Sequence, residues 1–370
     1  MARQAPDLRE IAAAFGVEGI SQEARWDQSG HIHETYLSTY AVDGGTVRYV
    51  HQAINERIFP DVAGLMRNVA RVTAHLHSHR ERAPSSRRWE VLTPVRSQTG
   101  DLFWRCSQDR VWRTFLCIEN AESYDVAPTP AIAREAAAAF GRFAAALADL
   151  DPGDLVEPLP GFHDLEARLA RFEQVLKEDP RGRAREVARE VDQVHENARE
   201  ARALGNLRAR GDLPERIVHN DTKVNNALID TSTGHGIAVI DLDTVMPGTI
   251  LYDFGDLVRT ATCRAEEDEV DLERVRVAPD LFAAITEGYL SEARAFLTAA
   301  EREHLFLGGH YMILIIAVRF LTDYIEGDVY FPAHRAGHNL DRARVQLRIL
   351  DSLVSQRDEL HRILERSLSR

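Results

Sequence analysis

Lysine is almost absent from this 370-residue chain, which has two lysines, Lys177 and Lys223, against 43 arginines. Any mechanism that needs a lysine therefore has two candidates. The sequence also has no G-x-x-x-x-G-K-[ST] pattern, in which backbone N–H groups and a lysine hold nucleotide phosphates. This absence excludes a P-loop nucleotide-binding protein.

Cysteine is scarce as well, and the three cysteines, Cys106, Cys117 and Cys263, form no C-x-x-C pair. Their odd number and wide spacing argue against a disulfide framework and are typical of a reducing compartment. The first 30 residues lack the apolar stretch of a signal peptide. The longest apolar run, residues 311–318, has about half the length that a bilayer span needs. We therefore expect a cytoplasmic protein that does not enter a membrane.

Positive charge is in deficit, since 58 acidic residues against 45 basic ones give a net charge of −13. This balance argues against nucleic acid as a partner. Hydrophobic residues make up 44% of the chain and charged residues 28%, which is the composition of a globular protein. The length suits two domains, and no feature of the sequence indicates an obligatory protein partner.

The first third of the chain alternates apolar and polar residues, which predicts β-strands. Asp43-Gly44-Gly45 is a hairpin turn signal, and Asp61 has the position of a helix N-cap before a run with apolar residues at helical spacing. The predicted strands lie near residues 22–29, 32–41, 46–54, 89–95, 102–106 and 111–118. We therefore expect an antiparallel sheet with one helix.

From Pro130 the apolar period changes to 3.6 residues, which predicts helices. Three of them are "AIAREAAAAFGRFAAALADL", "DLEARLARFEQVL" and the charged stretch 182–207, and more follow a strand–loop–strand that begins after residue 217. The sequence thus divides into a strand-rich part, residues 1–119, and a mostly helical part, residues 120–370. The expected fold class is α+β.

The segment "IVHNDTKVNNALIDTSTGHGIAVIDLDTVMPG" places polar residues at the ends of short apolar runs. Asp221 follows the apolar pair 217–218, Asn226 lies five residues later, and Asp241 ends the apolar run 237–240. Two short strands joined by a tight turn would hold Asp221 and Asn226 at one end, and the next strand would deliver Asp241 to the same end. An aspartate base and oxygen ligands for Mg²⁺ are what phosphoryl transfer needs.

These residues match a known pattern. H-x-D-x-x-x-x-N over residues 219–226, followed by I-D-x-D over residues 240–243, resembles the aminoglycoside phosphotransferase and choline kinase superfamily, whose members are relatives of the protein kinases. The resemblance implies a two-lobed, protein-kinase-like fold. It also implies that residues 1–119 form a lobe that covers the nucleotide, while residues 120–370 carry the catalytic loop, the metal site and the substrate pocket.

Five segments narrow the resemblance: "HNDTKVNN", "VIDLDTVMPG", "LYDFGDLVR", "LPGFHDLEAR" and "RFLTDYIEGDVYF" together are similar to the N-acetylhexosamine 1-kinases. Such enzymes imply ATP, Mg²⁺ and a sugar, N-acetylglucosamine or N-acetylgalactosamine, that is phosphorylated on its anomeric hydroxyl. The residues implied by this resemblance are the catalytic base Asp221, the Mg²⁺ ligands Asn226 and Asp241, and the sugar-pocket residues Arg319, Tyr330 and Phe331.

On the substrate side, several roles stay open. Phe331 stands where the family usually has tryptophan. Phenylalanine keeps a stacking face but lacks the indole N–H donor. Asp243 either binds a second metal or fixes the sugar. Arg319 either contacts the sugar or pairs with Asp323 four residues later on the same helix.

The nucleotide side rests on weaker signals. Gly30 and the adjacent His31 lie in a loop between two strands and would contact the phosphates, with an ordinary hairpin tip as the alternative. Gln52 stands where the protein-kinase pattern has a lysine on the third strand, and the lysine–glutamate ion pair of that pattern is missing. Arg57 and Arg71 are both candidates to replace the lysine.

Two aspartates of "LYDFGDL", Asp253 and Asp256, are expected to anchor the catalytic loop through backbone N–H groups. The rival functions are a kinase of aminoglycosides, choline or another small alcohol, and a nucleotide-binding pseudokinase. The missing lysine–glutamate pair favours the pseudokinase, whereas the intact set of Asp221, Asn226 and Asp241 favours an enzyme.

Overall fold

The computed structural model describes residues 6–27, 32–82 and 87–369. The chain divides into two compact units. The N-terminal unit comprises Met1–Ala121 and Gly153–Leu159, and the C-terminal unit comprises Glu122–Pro152 and Pro160–Arg370.

A six-stranded antiparallel sheet forms the framework of the N-terminal unit. The elements of this unit are α1 (Leu8–Ala14), β1 (Ile20–Asp27), β2 (Glu34–Val42), β3 (Gly45–Ala53), α2 (Val62–Arg82), β4 (Pro94–Val95), β5 (Trp104–Arg105) and β6 (Val111–Leu116). Neighbouring strands follow the order β1-β2-β3-β6-β4, and β5 pairs with β6. The hairpin β2–β3 turns at Asp43 and Gly44, where Gly44 has a φ of +97°, a conformation that favours glycine. The predicted sheet is therefore confirmed.

Two helices accompany this sheet. The predicted N-cap of α2 is confirmed, because the Asp61 carboxylate accepts the Gly64 N–H at 2.8 Å. Helix α1 is an addition to the expected single helix. Ile11 of α1 and Phe15, the residue that follows α1, are buried in one apolar cluster with Trp112 of β6. Seven residues are too few to show a helical period, so α1 depends on its Asp7 cap and on packing against the sheet.

The C-terminal unit is mostly helical, as expected. Its helices are α3 (Pro130–Ala146), α4 (Leu165–Glu178), α5 (Ala188–Ala209), α6 (Ile250–Ala261), α7 (Pro279–Ala293), α8 (Ala299–Glu303), α9 (Leu305–Glu326), α10 (His338–Ser355) and α11 (Arg357–Ser369). The short strands are β7 (Ala121–Glu122), at the boundary of the units, β8 (Arg216–Val218), β9 (Ala227–Asp230), β10 (Gly236–Val239) and β11 (Met246–Gly248). Strand β8 pairs with β11 and β9 pairs with β10, both antiparallel.

Helices α6 and α9 cross with their backbones in contact. A Cβ atom on Gly255 of α6 would overlap the carbonyl of Gly308 on α9, and one on Gly308 would overlap the carbonyl of Leu251. Glycine at both positions therefore permits the crossing. Helix α6, which this crossing holds against α9, also carries Asp253.

Helix α9 is long and apolar enough to cross a membrane by length and composition alone. Its most apolar window is 83% buried inside the protein, however, which is what a core helix shows. Every residue of α9 except Arg319 and Glu326 is buried. Arg319 is therefore a half-buried charge on an otherwise buried helix.

Candidate active site

The catalytic loop, residues 219–226, follows β8 and is hydrogen-bonded to α6. Val218 is the last residue of β8 and pairs with Met246 of β11. The backbone N–H groups of the next two residues, His219 and Asn220, donate to the Asp253 carboxylate at 2.9 and 2.7 Å. Asn220 has a φ of +64°, a left-handed conformation that places the two N–H groups toward one carboxylate. The predicted anchoring of the loop by Asp253 is confirmed.

Asp256 does something else, and the prediction that it anchors the loop is wrong. Its carboxylate accepts the Arg259 Nε–H at 2.7 Å, and Arg259 also donates to Glu267 at 3.3 Å. Arg259 lies three residues further along α6, on the same helix face as Asp256. The Asp256 carboxylate therefore pairs with Arg259 and not with the backbone of the catalytic loop.

Burial sets the electrostatics of Asp253. Its side chain is 2% exposed, and burial raises its pKa to about 6 even though the neighbouring His219 ring and the two N–H donors favour the charged form. The Thr222 hydroxyl donates to the Asp253 backbone carbonyl at 2.6 Å. One residue of α6 therefore contacts the catalytic loop on both sides of Asp221.

His219 positions the backbone of Asp221. Its Nε2 lies 2.9 Å from the Ile240 carbonyl, which requires a donor, and its Nδ1 accepts the Asp221 N–H at 3.3 Å. These contacts orient the ring, with Nε2 toward Ile240 and Nδ1 toward the Asp221 backbone. Phe140 and Phe143 pack edge-on against the ring at 5.4 and 5.7 Å between centroids. His219 therefore acts through Asp221 and not on a substrate.

The Asp221 carboxylate is polarised by two neighbours. Its Oδ1 lies 3.1 Å from the Lys223 Nζ, and its Oδ2 accepts the Asn226 Nδ2–H at 3.2 Å. Burial would raise the pKa of Asp221, but the Lys223 ammonium and the His219 ring outweigh it and hold that pKa below its ordinary value. The carboxylate is thus ionised at neutral pH, as a base for a hydroxyl proton must be.

Lys223→Met is expected to raise the pKa of Asp221, because the ammonium that stabilises the carboxylate is removed. The acidic limb of kcat/KM against pH should therefore move to higher pH. Lys177, the other lysine of the chain, is exposed on α4, and Lys177→Met should keep the wild-type profile. An acidic limb that stays in place in Lys223→Met would contradict the link between Lys223 and Asp221.

The two predicted metal ligands lie on adjacent segments, since the Ile240 N–H donates to the Asn226 carbonyl at 2.9 Å. The Asn226 Nδ2 donates to the Asp221 carbonyl at 2.9 Å, which leaves the amide oxygen as an acceptor. Asp241 follows with an exposed side chain and a φ of +59°. No cluster of three or more His, Cys, Asp or Glu that could hold a metal occurs among the described residues. An amide oxygen and one carboxylate fit Mg²⁺, which takes few protein ligands and completes its shell with water and phosphates.

Asp243 differs from Asp241 in being buried, at 2% exposure, within the 3₁₀ turn Leu242–Thr244. Thr244 ties this turn to the catalytic loop: its hydroxyl donates to the His219 carbonyl at 2.7 Å, and its carbonyl accepts the Asn220 Nδ2–H at 2.9 Å.

Arg319 lies among three aromatic rings. Its guanidinium carbon is 5.1 Å from the ring centre of Phe162, 5.8 Å from that of Tyr330 and 5.3 Å from that of Phe331. Burial lowers the pKa of Arg319 to about 10. The structure thus brings the three predicted pocket residues together and adds Phe162. Sequence reasoning missed Phe162, although it belongs to the motif "LPGFHDLEAR".

The alternative of a structural Arg319–Asp323 pair is wrong. The Asp323 carboxylate accepts the backbone N–H groups of Val329, Tyr330 and Phe331 at 2.9, 2.8 and 2.9 Å. Arg319 forms no ion pair within residues 6–27, 32–82 and 87–369. Asp323 therefore orients the segment that carries the two aromatic rings and leaves Arg319 without a counter-ion from its own helix.

On the nucleotide side, Gly30 and His31 lie outside the described residues. Gln52 is engaged on both amide atoms: its oxygen accepts the Arg113 Nε–H at 3.0 Å, and its nitrogen donates to the Thr35 hydroxyl at 3.2 Å. Arg113 lies opposite Gln52 on β6 and is buried. A buried cation therefore adjoins the position where protein kinases have lysine.

The two candidates named from the sequence have other surroundings. Arg71 is exposed and pairs with Asp154, and Arg57 is also exposed. Sequence reasoning missed Arg113, because Arg113 and Gln52 are 61 residues apart in the chain and meet only when their strands pair. No local sequence pattern indicates this contact.

The sheet of the N-terminal unit, the helices of the C-terminal unit and the catalytic loop define a kinase-like protein. Aminoglycoside phosphotransferase from Alicyclobacillus acidocaldarius has a TM-score of 0.65 and 14% identity, with 98% of each chain covered. Spectinomycin phosphotransferase in complex with ADP and spectinomycin has a TM-score of 0.60 and 11% identity, with 97% of this chain and 99% of that chain covered. A microcompartment-associated aminopropanol kinase has a TM-score of 0.55 and 16% identity, with 96% of this chain and 98% of that chain covered. At such identities the likeness shows the fold, and the predicted protein-kinase-like fold is confirmed.

The sequence itself matches the phosphotransferase enzyme family, APH, over residues 27–285. This match spans well over half of the chain and includes Asp221, Asn226 and Asp241. The chain belongs to this family of phosphotransferases. The matched region ends before Arg319, so membership carries no information on the pocket that Arg319 helps to form.

Proposed function

We propose that this phosphotransferase transfers the γ-phosphate of ATP to the anomeric hydroxyl of an N-acetylhexosamine. The observation that carries the proposal is Arg319, which is half-buried, lies against the rings of Phe162, Tyr330 and Phe331, and has no carboxylate partner among the residues that the structure describes. Aromatic faces suit the apolar faces of sugar rings, and a guanidinium suits a hydroxyl or the N-acetyl carbonyl. The motif resemblance to N-acetylhexosamine 1-kinases supports the same substrate.

In the proposed reaction, Asp221 orients the anomeric hydroxyl and accepts its proton. The sugar oxygen forms a bond to the γ-phosphorus, the bond from that phosphorus to the β–γ bridging oxygen breaks, and ADP leaves. Lys223 lies beside Asp221 and keeps its carboxylate ionised until the proton arrives. Asn226 and Asp241 would hold Mg²⁺, which offsets the charge of the phosphates.

The three rings around Arg319, those of Phe162, Tyr330 and Phe331, argue against a choline-type substrate. A quaternary ammonium is recognised by an aromatic cage, but here the protein's own Arg319 occupies the rings. A cationic aminoglycoside would also meet a like charge at Arg319. A pseudokinase is disfavoured by the intact arrangement of Asp221, Asn226 and Asp241 and by the low pKa of Asp221.

An ADP-release assay over N-acetylhexosamines, aminoglycosides, choline and amino alcohols tests the proposal. Turnover is expected with an N-acetylhexosamine, and ³¹P NMR of the product should show a phosphate on the anomeric carbon. Activity should disappear with EDTA and return with Mg²⁺. Turnover of choline or an aminoglycoside without turnover of any sugar would disprove the sugar assignment.

Arg319→Ala is expected to raise KM for the hexosamine about 10- to 100-fold, because a hydrogen bond to a charged group contributes roughly 1.5–3 kcal/mol. KM for ATP should change little. Since Arg319 has no ion pair within the described ranges, its loss should lower Tm only modestly, through the loss of its contacts with the three rings.

The matched control is Arg171→Ala, an exposed arginine that pairs with Glu326 at the end of the same helix α9. Sugar titrations and thermal melts on both variants give the comparison. A normal sugar KM together with a large fall in Tm for Arg319→Ala would remove Arg319 from the pocket.

A further inference from the structure

Two arginines of the C-terminal unit meet at Phe162. The Arg319 guanidinium lies over its ring at 5.1 Å. Arg168, on α4, donates from Nη2 to the Phe162 carbonyl at 3.3 Å and to the Gly161 carbonyl at 3.5 Å. The charge of Arg168 adds to burial, the main cause, in lowering the pKa of Arg319. Two groups of the same sign therefore share one small region.

Each of these arginines has an aspartate four residues away on its own helix, and each aspartate is used elsewhere. Asp164 caps α4 by accepting the Ala167 N–H at 3.0 Å. Asp323 accepts three backbone N–H groups of the segment with Tyr330. Both counter-ions that the sequence offers are thus directed to the backbone.

Within the described part of the chain, neither Arg168 nor Arg319 forms an ion pair, and the Arg168 Nε is buried without a hydrogen-bond partner. Glu166, two residues before Arg168, pairs with Arg202 instead. Two cations that lack a counter-ion in a partly desolvated region attract an anion strongly.

We propose that Arg168 and Arg319 form an anion subsite of the acceptor pocket, and that the preferred acceptor is an N-acetylhexosamine with an anionic substituent away from its anomeric carbon. The inference rests on the proposed function and names its substrate class more closely. A carboxylate, a sulfate ester or a phosphate ester has the oxygen pairs that planar guanidinium groups bind by two parallel hydrogen bonds. Phe162 would hold the two arginines at a fixed spacing.

The experiment compares kcat/KM for N-acetylglucosamine and N-acetylgalactosamine with that for N-acetylglucosamine 6-phosphate, N-acetylglucosamine 6-sulfate, N-acetylglucosaminuronic acid and N-acetylmuramic acid. At least one anionic sugar is expected to exceed its neutral parent about 10- to 100-fold. The three kinds of anion separate carboxylate from sulfate and phosphate recognition. The preference should shrink as ionic strength rises.

Arg168→Gln tests the residue itself, since glutamine keeps an N–H donor for the carbonyls of Gly161 and Phe162 but has no charge. This variant should lower the ratio of anionic to neutral kcat/KM about tenfold or more, with KM for ATP unchanged. Arg202→Gln, which removes an exposed partner of Glu166 near by, should keep the wild-type ratio. Calorimetric titration of the anionic sugar into the nucleotide-free protein gives the same comparison without turnover. If the glutamine variant does not fold, Arg168→Lys, which keeps the charge but loses the paired N–H donors, should lower the ratio by a smaller factor.

Three results would overturn the inference. If neutral sugars are used as well as every anionic one, the subsite does not exist, although the proposed function stands. If Arg168→Gln raises KM for ATP and leaves the sugar ratio unchanged, the arginines bind nucleotide phosphate. If no sugar of either kind is phosphorylated while another acceptor is, the proposed function fails first and the subsite fails with it.

Discussion

Replacing Asp221 with asparagine is expected to lower kcat by about 10²–10⁴-fold, with KM for ATP and acceptor close to wild type. Asparagine has the shape of aspartate and still offers an oxygen to the Asn226 amide, which lies 3.2 Å from the Asp221 carboxylate. It cannot take up the proton of the attacking hydroxyl. The loss should therefore fall on the chemical step and not on binding.

Steady-state kinetics and calorimetric binding of ATP and acceptor measure this split. Asp212→Asn is the matched control, because Asp212 is an exposed aspartate that pairs with Arg210 away from the catalytic loop. The control should keep its kcat. An Asp221→Asn enzyme with wild-type kcat would show that some other group accepts the proton.

The parts of the fold that were predictable depend on residues close in sequence. The β2–β3 hairpin follows from Asp43-Gly44 and strand alternation, and the start of α2 follows from the Asp61 cap. Helix α1 depends instead on burying Ile11 and Phe15 against Trp112, about 100 residues further on, and no local pattern encodes that contact.

The candidate site divides in the same way. The spacing from Asp221 to Asn226 and on to Asp241 is local, so the sequence indicated a phosphotransferase loop directly. The partners of Arg319 are not local: helical spacing suggested Asp323, whereas the structure supplies Phe162 and directs Asp323 to backbone N–H groups. An i,i+4 pair requires that neither side chain has a better partner, and three backbone donors held by one turn are a better partner for a carboxylate.

Asp253→Ala should both destabilise the protein and reduce kcat in the molecules that stay folded. The Asp253 carboxylate accepts the N–H groups of His219 and Asn220, and both residues are buried. Truncation leaves two buried donors without an acceptor, at about 1–3 kcal/mol each, or about 2–6 kcal/mol together. Native proteins have about 5–15 kcal/mol of stability, so the loss in Tm and in urea midpoint should be large. A variant with near-normal Tm and kcat would contradict the anchoring role.

The pH dependence of stability tests the charge of the same carboxylate. Burial raises the pKa of Asp253 from its ordinary 3.8 to about 6. Between these two values the native protein binds the proton more tightly than the unfolded chain does. The stabilisation that the raised pKa contributes is therefore fully present below pH 3.8 and is lost as pH rises through about 6. Asparagine at position 253 does not titrate, so the free energy of unfolding of wild type minus that of Asp253→Asn should fall across this window and stay level above it.

Thr222→Val provides the matched control for that measurement. It removes the hydroxyl that donates to the Asp253 backbone carbonyl at 2.6 Å and leaves the carboxylate and its two N–H donors in place. Its difference from wild type in the free energy of unfolding should be about 1 kcal/mol and independent of pH between 4 and 6, because no titrating group is changed. If the difference between wild type and Asp253→Asn instead grew as pH rose, the pKa of Asp253 would lie below its ordinary value. The two N–H donors and the His219 ring would then outweigh burial at this position.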